Sequence, residues 1–113
     1  EVPLVAAELA ARAVMQRAGA ASAADFTCVE LHDAFAVQGL SFAKGLGLKP
    51  EQLNPKGGGL ARGHPIGASA AIALVRVLSE LACHPTHAQG LVAVAGAGGL
   101  GSAAWVQKIA PVL

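Results

Sequence analysis

Residues 54–70 read NPKGGGLARGHPIGASA and hold five of the chain's 14 glycines, two of its six prolines, its only asparagine and one of its four histidines. A connection that merely crossed a surface would have no use for so many special residues. Glycines let a backbone come close to something else. Pro65 removes a donor and holds His64 in an extended conformation. The helix expected from about Gly67 offers unpaired N–H groups and the positive end of its dipole beside that histidine. Two readings of His64 stay open on the residues alone. Its ring either donates to an oxygen that gains charge during a reaction, or it satisfies a carbonyl within a tight turn. Gly57, Gly58 and Gly59 do not form a phosphate loop, because no Gly-Lys-Ser/Thr follows at the required spacing.

Outward from this loop the elements alternate. Residues 3–18, PLVAAELAARAVMQRA, recur in Leu4, Ala7, Ala11, Val14 and Ala18 at helical spacing, with Pro3 suited to the first turn and Gly19 to the C-cap. A buried strand is expected from Phe26 to Leu31, with His32 and Asp33 at its end. Asp33 is expected to cap a second helix over about 34–45, closed by Gly45 and Gly47. After the glycine-rich loop, a helix over 67–82 is apolar on nearly every side except at Arg76, Ser79 and Glu80, a pattern that predicts burial. A strand, a glycine-rich turn and a second strand end the chain. This order predicts an α/β layered fold. Three strands are few for a sheet of this kind, which normally buries both faces, so the sheet is expected to be incomplete in this chain.

Composition sets limits on function. The formal net charge is +1 and aromatic residues make up 4% of the chain, so neither a basic footprint nor a stacking platform for nucleic acid is present. No apolar run approaches the roughly 18 residues of a membrane span. Cys28 and Cys83 show no metal-ligand spacing, and a reducing, cytoplasmic setting is expected. Cys28 reads as a small hydrophobe within a strand. Cys83, His84 and His87 resemble a metal cluster only superficially, and Trp105 is core or interface. The chain opens on Glu1 with no leader pattern, which reads as a segment of something longer.

Three polar stretches lie at element ends: HDAFA (32–36), GHP (63–65) and AGAGGLG (95–101). Together they resemble the C-terminal part of thiolases, which make and break carbon–carbon bonds in β-ketoacyl-coenzyme A. The family pattern NxxGGxxAxGHPxGxSG is met at Asn54, Gly57, Gly58, Ala61, Gly63, His64, Pro65, Gly67 and Ser69, and fails only at Ala70. The resemblance covers nearly the whole chain and implies a layered α-β-α domain over residues 1–113. The first strands of that domain and the whole N-terminal domain would be absent. It further implies that His64 contributes to an oxyanion hole for a thioester. HDAF stands at the family's NEAF position and is closest to the HDCF of sterol-carrier-protein-type thiolases, so His32 is implied to join His64 in holding that oxygen. Asn54, Gly57, Gly58, Gly63, Gly98 and Gly99 would shape the loops around it.

The departures are as informative. Where thiolases carry CxGGGxG on the last hairpin, this chain has Ala95 at the cysteine position and Ala97 at the first glycine. Alanine cannot shuttle a proton, and the family's nucleophile belongs to the N-terminal domain. The resemblance therefore implies one part of an acyl-CoA-processing enzyme, an acyltransferase or a thiolase-like C–C lyase, without turnover as an isolated chain. Coenzyme A thioester would be the substrate, and no bound cofactor or metal is expected. A homo-oligomer is expected, and an OB-fold partner protein is a further implied associate. The alternative is a non-catalytic binding or assembly subunit on the same scaffold.

Overall fold

One small sheet carries apolar clusters on both of its faces. The computed structural model describes residues 5–20 and 22–110. Among them the elements run α1 (Ala6–Ala18), β1 (Cys28–Leu31), α2 (Ala36–Leu46), α3 (Gly59–Arg62), α4 (Ser69–Ala82), β2 (Gln89–Gly96) and β3 (Leu100–Gln107). The strands lie in the order β1-β2-β3. β1 pairs parallel to β2, with Leu31 opposite Ala93, and β2 pairs antiparallel to β3, with Ala95 opposite Gly101. On one face Val29, Leu31, Leu91 and Ala93 pack against Ala7 and Ala11 of α1 and Phe42 of α2. On the other, Cys28 and Val92 pack against Ala73, Val77 and Leu81 of α4. All four residues of β1 are buried, as a strand covered on both faces requires. The α/β layered fold predicted from the element order is present, with helices on both faces of the sheet as the resemblance implied.

Both glycine helix ends form as read. Gly19 closes α1 at φ 68° and Gly47 closes α2 at φ 65°, each in the left-handed conformation. Pro3 and Leu4, expected in the first turn of α1, lie outside the described residues. Three expectations need correction. Asp33 does not cap α2; Phe35 holds that position without a side-chain bond, because the Asp33 carboxylate is taken by the Gly59 N–H across the loop. Gly45 lies inside α2 rather than closing it. The helix after the loop starts at Ser69 and is buried only along Ser69, Ala73, Val77 and Leu81. Its other side leaves Val75 61% and Leu78 50% exposed. An apolar helix reads as buried from its sequence alone, yet only one of its sides meets this sheet.

Candidate active site

The site is built where β1 ends. The His32 N–H still donates to the Ala93 carbonyl at 3.1 Å, so the strand ladder fixes its backbone one residue past the strand. Side chains alternate along a strand, and His32 follows Cys28 and Glu30 on the α4 side. Its ring is 4% exposed. The second arm is fixed by Asn54. Its N–H donates to the Val29 carbonyl at 2.8 Å, and its Oδ1 accepts from the Leu31 N–H at 2.8 Å. Asn54 thus occupies the outer edge of β1, and it does so in the left-handed region at φ 48°, which asparagine tolerates better than most residues. From that anchor the chain turns through Gly57 to Gly58, which lies against both Asn54 and Asp33.

Gly59 is the closest approach. A β-carbon there would stand 2.9 Å from His32 Cε1, 3.0 Å from its Nδ1 and 3.1 Å from the Asp33 carbonyl oxygen. Only hydrogen fits. After α3, Gly63 turns the chain at φ 91°, ψ −173°, a region essentially reserved for glycine. His64 follows, exposed at the loop surface. His32 Nε2 and His64 Nδ1 face each other in a short hydrogen-bonded contact. The ring centroids are 4.6 Å apart with planes within 14°, so the rings meet edge to edge rather than face to face.

This pair forms one wall of a cavity of about 450 Å³, with Ser69 on α4 and Ala95, Gly96 and Leu100 on the last hairpin opposite. The Ser69 hydroxyl is committed to the Pro65 carbonyl at 2.9 Å. Of the residues singled out in sequence, His32, His64 and Ala95 come together here. Asn54, Gly57 and Gly58 lie behind the pair as its support. Gly98 and Gly99, at φ 82° and 78°, make the turn of the hairpin and do not line the cavity.

Burial, above all, holds the His32 ring below the ordinary histidine value, helped by His64 and Arg62 and opposed by Asp33. The ring is therefore neutral near pH 7 and offers one N–H. Neither cysteine is suited to nucleophilic work at this place. Burial, reinforced by Glu80 and Glu30, pushes the Cys28 thiol up to about 11, and it packs beneath α4. Cys83 is exposed at the end of that helix. His84 Nε2 lies 3.5 Å from the Glu80 carboxylate, and His87 donates its N–H to the Lys108 carbonyl. Among the described residues no three His, Cys, Asp or Glu side chains gather as a metal site.

Sequence reasoning missed Glu30, Arg62 and Arg76. Glu30 Oε2 is 3.4 Å from Arg76 Nε and 3.8 Å from Arg62 Nη1. Burial pushes its carboxyl up against the opposing pull of both arginines. The alternation Cys28-Glu30-His32 placed this acid on the side of the histidine, and that was the available signal.

Residues 3–108 match the family described as "Thiolase, C-terminal domain". The chain is 39% identical over 103 residues to the β-ketothiolase BktB of Cupriavidus necator, covering 88% of this chain and 25% of that protein. It superposes on Acat5 thiolase from Ascaris suum, solved in complex with coenzyme A, with a TM-score of 0.86 at 34% identity, over 95% of this chain and 27% of that one. It also superposes on the peroxisomal 3-ketoacyl-CoA thiolase of Saccharomyces cerevisiae, described as five-layered and built from two core domains of identical topology. There the TM-score is 0.85 at 31% identity, over 94% of this chain and 30% of that one. The chain spans about a quarter of the length of the curated relatives it matches.

Proposed function

The chain belongs to the thiolase family through its C-terminal domain, and from that membership we propose that it supplies the oxyanion-holding part of a site acting on a coenzyme A thioester. The observation that carries the reading is the convergence of His32 and His64 on one point at the cavity wall. The neutral His32 ring has one N–H to give. In the resting pair one ring accepts from the other. A thioester oxygen seated between them accepts from both as it gains charge, once the ring that accepts in the resting pair carries its proton on the facing nitrogen instead of the far one. Donors held in this way contribute about 3–4 kcal/mol each to a transition state. Gly59 and Asn54 hold the His32 side of the pair, and Gly63 sets the His64 side.

Ala95 faces the same cavity. On the family resemblance this is the position of the proton-shuttling cysteine, so the reaction proceeds without a thiol there. Acyl transfer without the Claisen step, or retro-aldol cleavage of a hydroxyacyl thioester, meets that requirement. The nucleophile or base comes from residues outside this chain, and the chain alone does not turn over. The apolar side of α4 supports a covering partner surface, whether a second domain, a second copy or the OB-fold associate. A cytoplasmic setting belongs to the same reading. Membership of the family does not fix the compartment, since one of the proteins named above is peroxisomal. Among the described residues no helix is long and apolar enough to cross a membrane.

The test is turnover of a panel of acyl-, ketoacyl- and hydroxyacyl-coenzyme A compounds by the natural protein that carries this chain, beside its His64→Ala variant. Turnover of at least one compound that falls a hundredfold or more in the variant is expected, at about the cost of one lost oxyanion donor. Unchanged kcat/KM removes His64 from catalysis. Binding without turnover of any compound favours the non-catalytic subunit instead.

A further inference from the structure

The roles proposed for His32 and His64 leave one buried acid unused. Glu30 is 2% exposed and stands one strand repeat before His32, on the same side of β1. Its Oε2 and the Nε of Arg76 form no hydrogen bond of good geometry with any group among the described residues, although they lie 3.4 Å apart. A carboxylate buried with so few hydrogen bonds is a costly way to hold a helix against a sheet. Its two cations, however, reach both arms of the glycine-rich loop. Arg62 closes α3 two residues before His64. Arg76 Nη2 donates at 2.7 Å to the carbonyl of Lys56, on the arm that leaves Asn54. Arg62 and His32 also share the wall of a small cavity of about 50 Å³, completed by Gly63, Pro65, Ser69 and Ile72.

We propose that Glu30, Arg62 and Arg76 form a positioning cluster for the histidine pair, tying both loop arms to β1 and leaving one net positive charge behind the two rings. The inference rests on the reading of the pair as the oxyanion holder. Two guanidiniums against one carboxylate give the charge its sign. Arg62 disfavours protonation of the His32 ring, and the net charge of the cluster favours an oxygen that becomes negative between the two histidines. Asp33, from the connection that follows His32, pulls the other way and acts on that ring more strongly than Arg62 does. On α4, Glu80 is tied to Lys56 at 2.7 Å and adds little net charge.

The experiment follows the ring proton shifts of His32 and His64 by NMR as a function of pH, in the protein and in Arg62→Gln, Arg62→Lys and Glu30→Gln. Far-UV circular dichroism checks the fold of each. Removing the cation in Arg62→Gln is expected to move the His32 midpoint upward by several tenths of a pH unit, and Arg62→Lys to return most of that change. Removing the anion in Glu30→Gln is expected to move it downward. Midpoints that stay put, or that move the same way in Arg62→Gln and Glu30→Gln, overturn the proposal, since a packing role has no reason to give opposite signs. If Glu30→Gln fails to fold, the Gln and Lys variants at Arg62 decide the question by themselves. None of these readouts needs turnover. An inactive His pair would show instead as unchanged kcat/KM in His64→Ala, with the opposed midpoint shifts still measured.

Discussion

Replacing Gly59 by alanine isolates the fit between the loop and His32. Gly59 is not in the left-handed region, so the substitution asks only whether there is room for one carbon. There is none: the new β-carbon would meet His32 Cε1 at 2.9 Å, Nδ1 at 3.0 Å and the Asp33 carbonyl oxygen at 3.1 Å. The first contact falls roughly 0.6 Å inside the lower end of the favourable range for carbon pairs. The Asp33 carbonyl is backbone and cannot rotate away, so the imidazole must yield, and its movement alters the Nε2 contact with His64. Overpacking of this kind costs about 1–3 kcal/mol, or roughly 5–15 °C in Tm for a domain near this size. Thermal unfolding measures the stability loss, and NMR of the two rings reports whether their mutual contact survives. Gly63→Ala serves as the contrast. Nothing stands within 4 Å of its would-be β-carbon, but φ is +91°, so its cost of about 1–3 kcal/mol comes from backbone strain and need not disturb the His32 ring. A Gly59→Ala protein as stable as the parent, with both ring signals in place, would refute the close-packing argument.

Acidification is expected to destabilise the fold through His32. Its folded value lies below the ordinary one, so the unfolded chain takes up that proton first; the stabilisation is present at neutral pH and is lost as pH falls through the folded value. Urea unfolding between pH 7.5 and 5 should show this slope and a shallower one in His32→Asn, and equal slopes would contradict the assignment. Thiol labelling of the native protein at pH 8 should modify Cys83, which is exposed, and spare Cys28, buried and held near 11. Both should react in denaturant, and rapid native labelling of Cys28 would count against its place beneath α4. The exposed Val75 and Leu78 on α4 are expected to drive self-association of this chain, so sedimentation should show species larger than a monomer and Leu78→Asp should shift them toward it. A clean monomer in both would count against the α4 surface as an interface.

Much of the fold was legible because local chemistry decided it. The glycines that end α1 and α2 do so for a reason carried by one residue, the left-handed cap. The burial of β1 on both faces follows from a short run with no polar alternation except Glu30. Asp33 misled for the opposite reason. A carboxylate before a helix reads as its cap, but the N–H of Gly59, remote in sequence, competes for it and wins. The exposed side of α4 was not legible either, since hydrophobicity says that a surface is covered and not by what. In the candidate site, His64 and the glycines around it announced themselves by spacing. The cluster of Glu30, Arg62 and Arg76 did not, because its members sit on three elements and only the folded chain brings their charges together.

The central claim is that a thioester carbonyl oxygen is held between His32 and His64. The most direct measurement is a crystal structure of the natural protein with a slowly reacting coenzyme A thioester analogue. The account predicts the carbonyl oxygen about 2.7–3.1 Å from a ring nitrogen of each histidine, with the acyl carbon facing Ala95. A thioester bound with its carbonyl turned away from both rings, and the two histidines still in contact with each other, would contradict it.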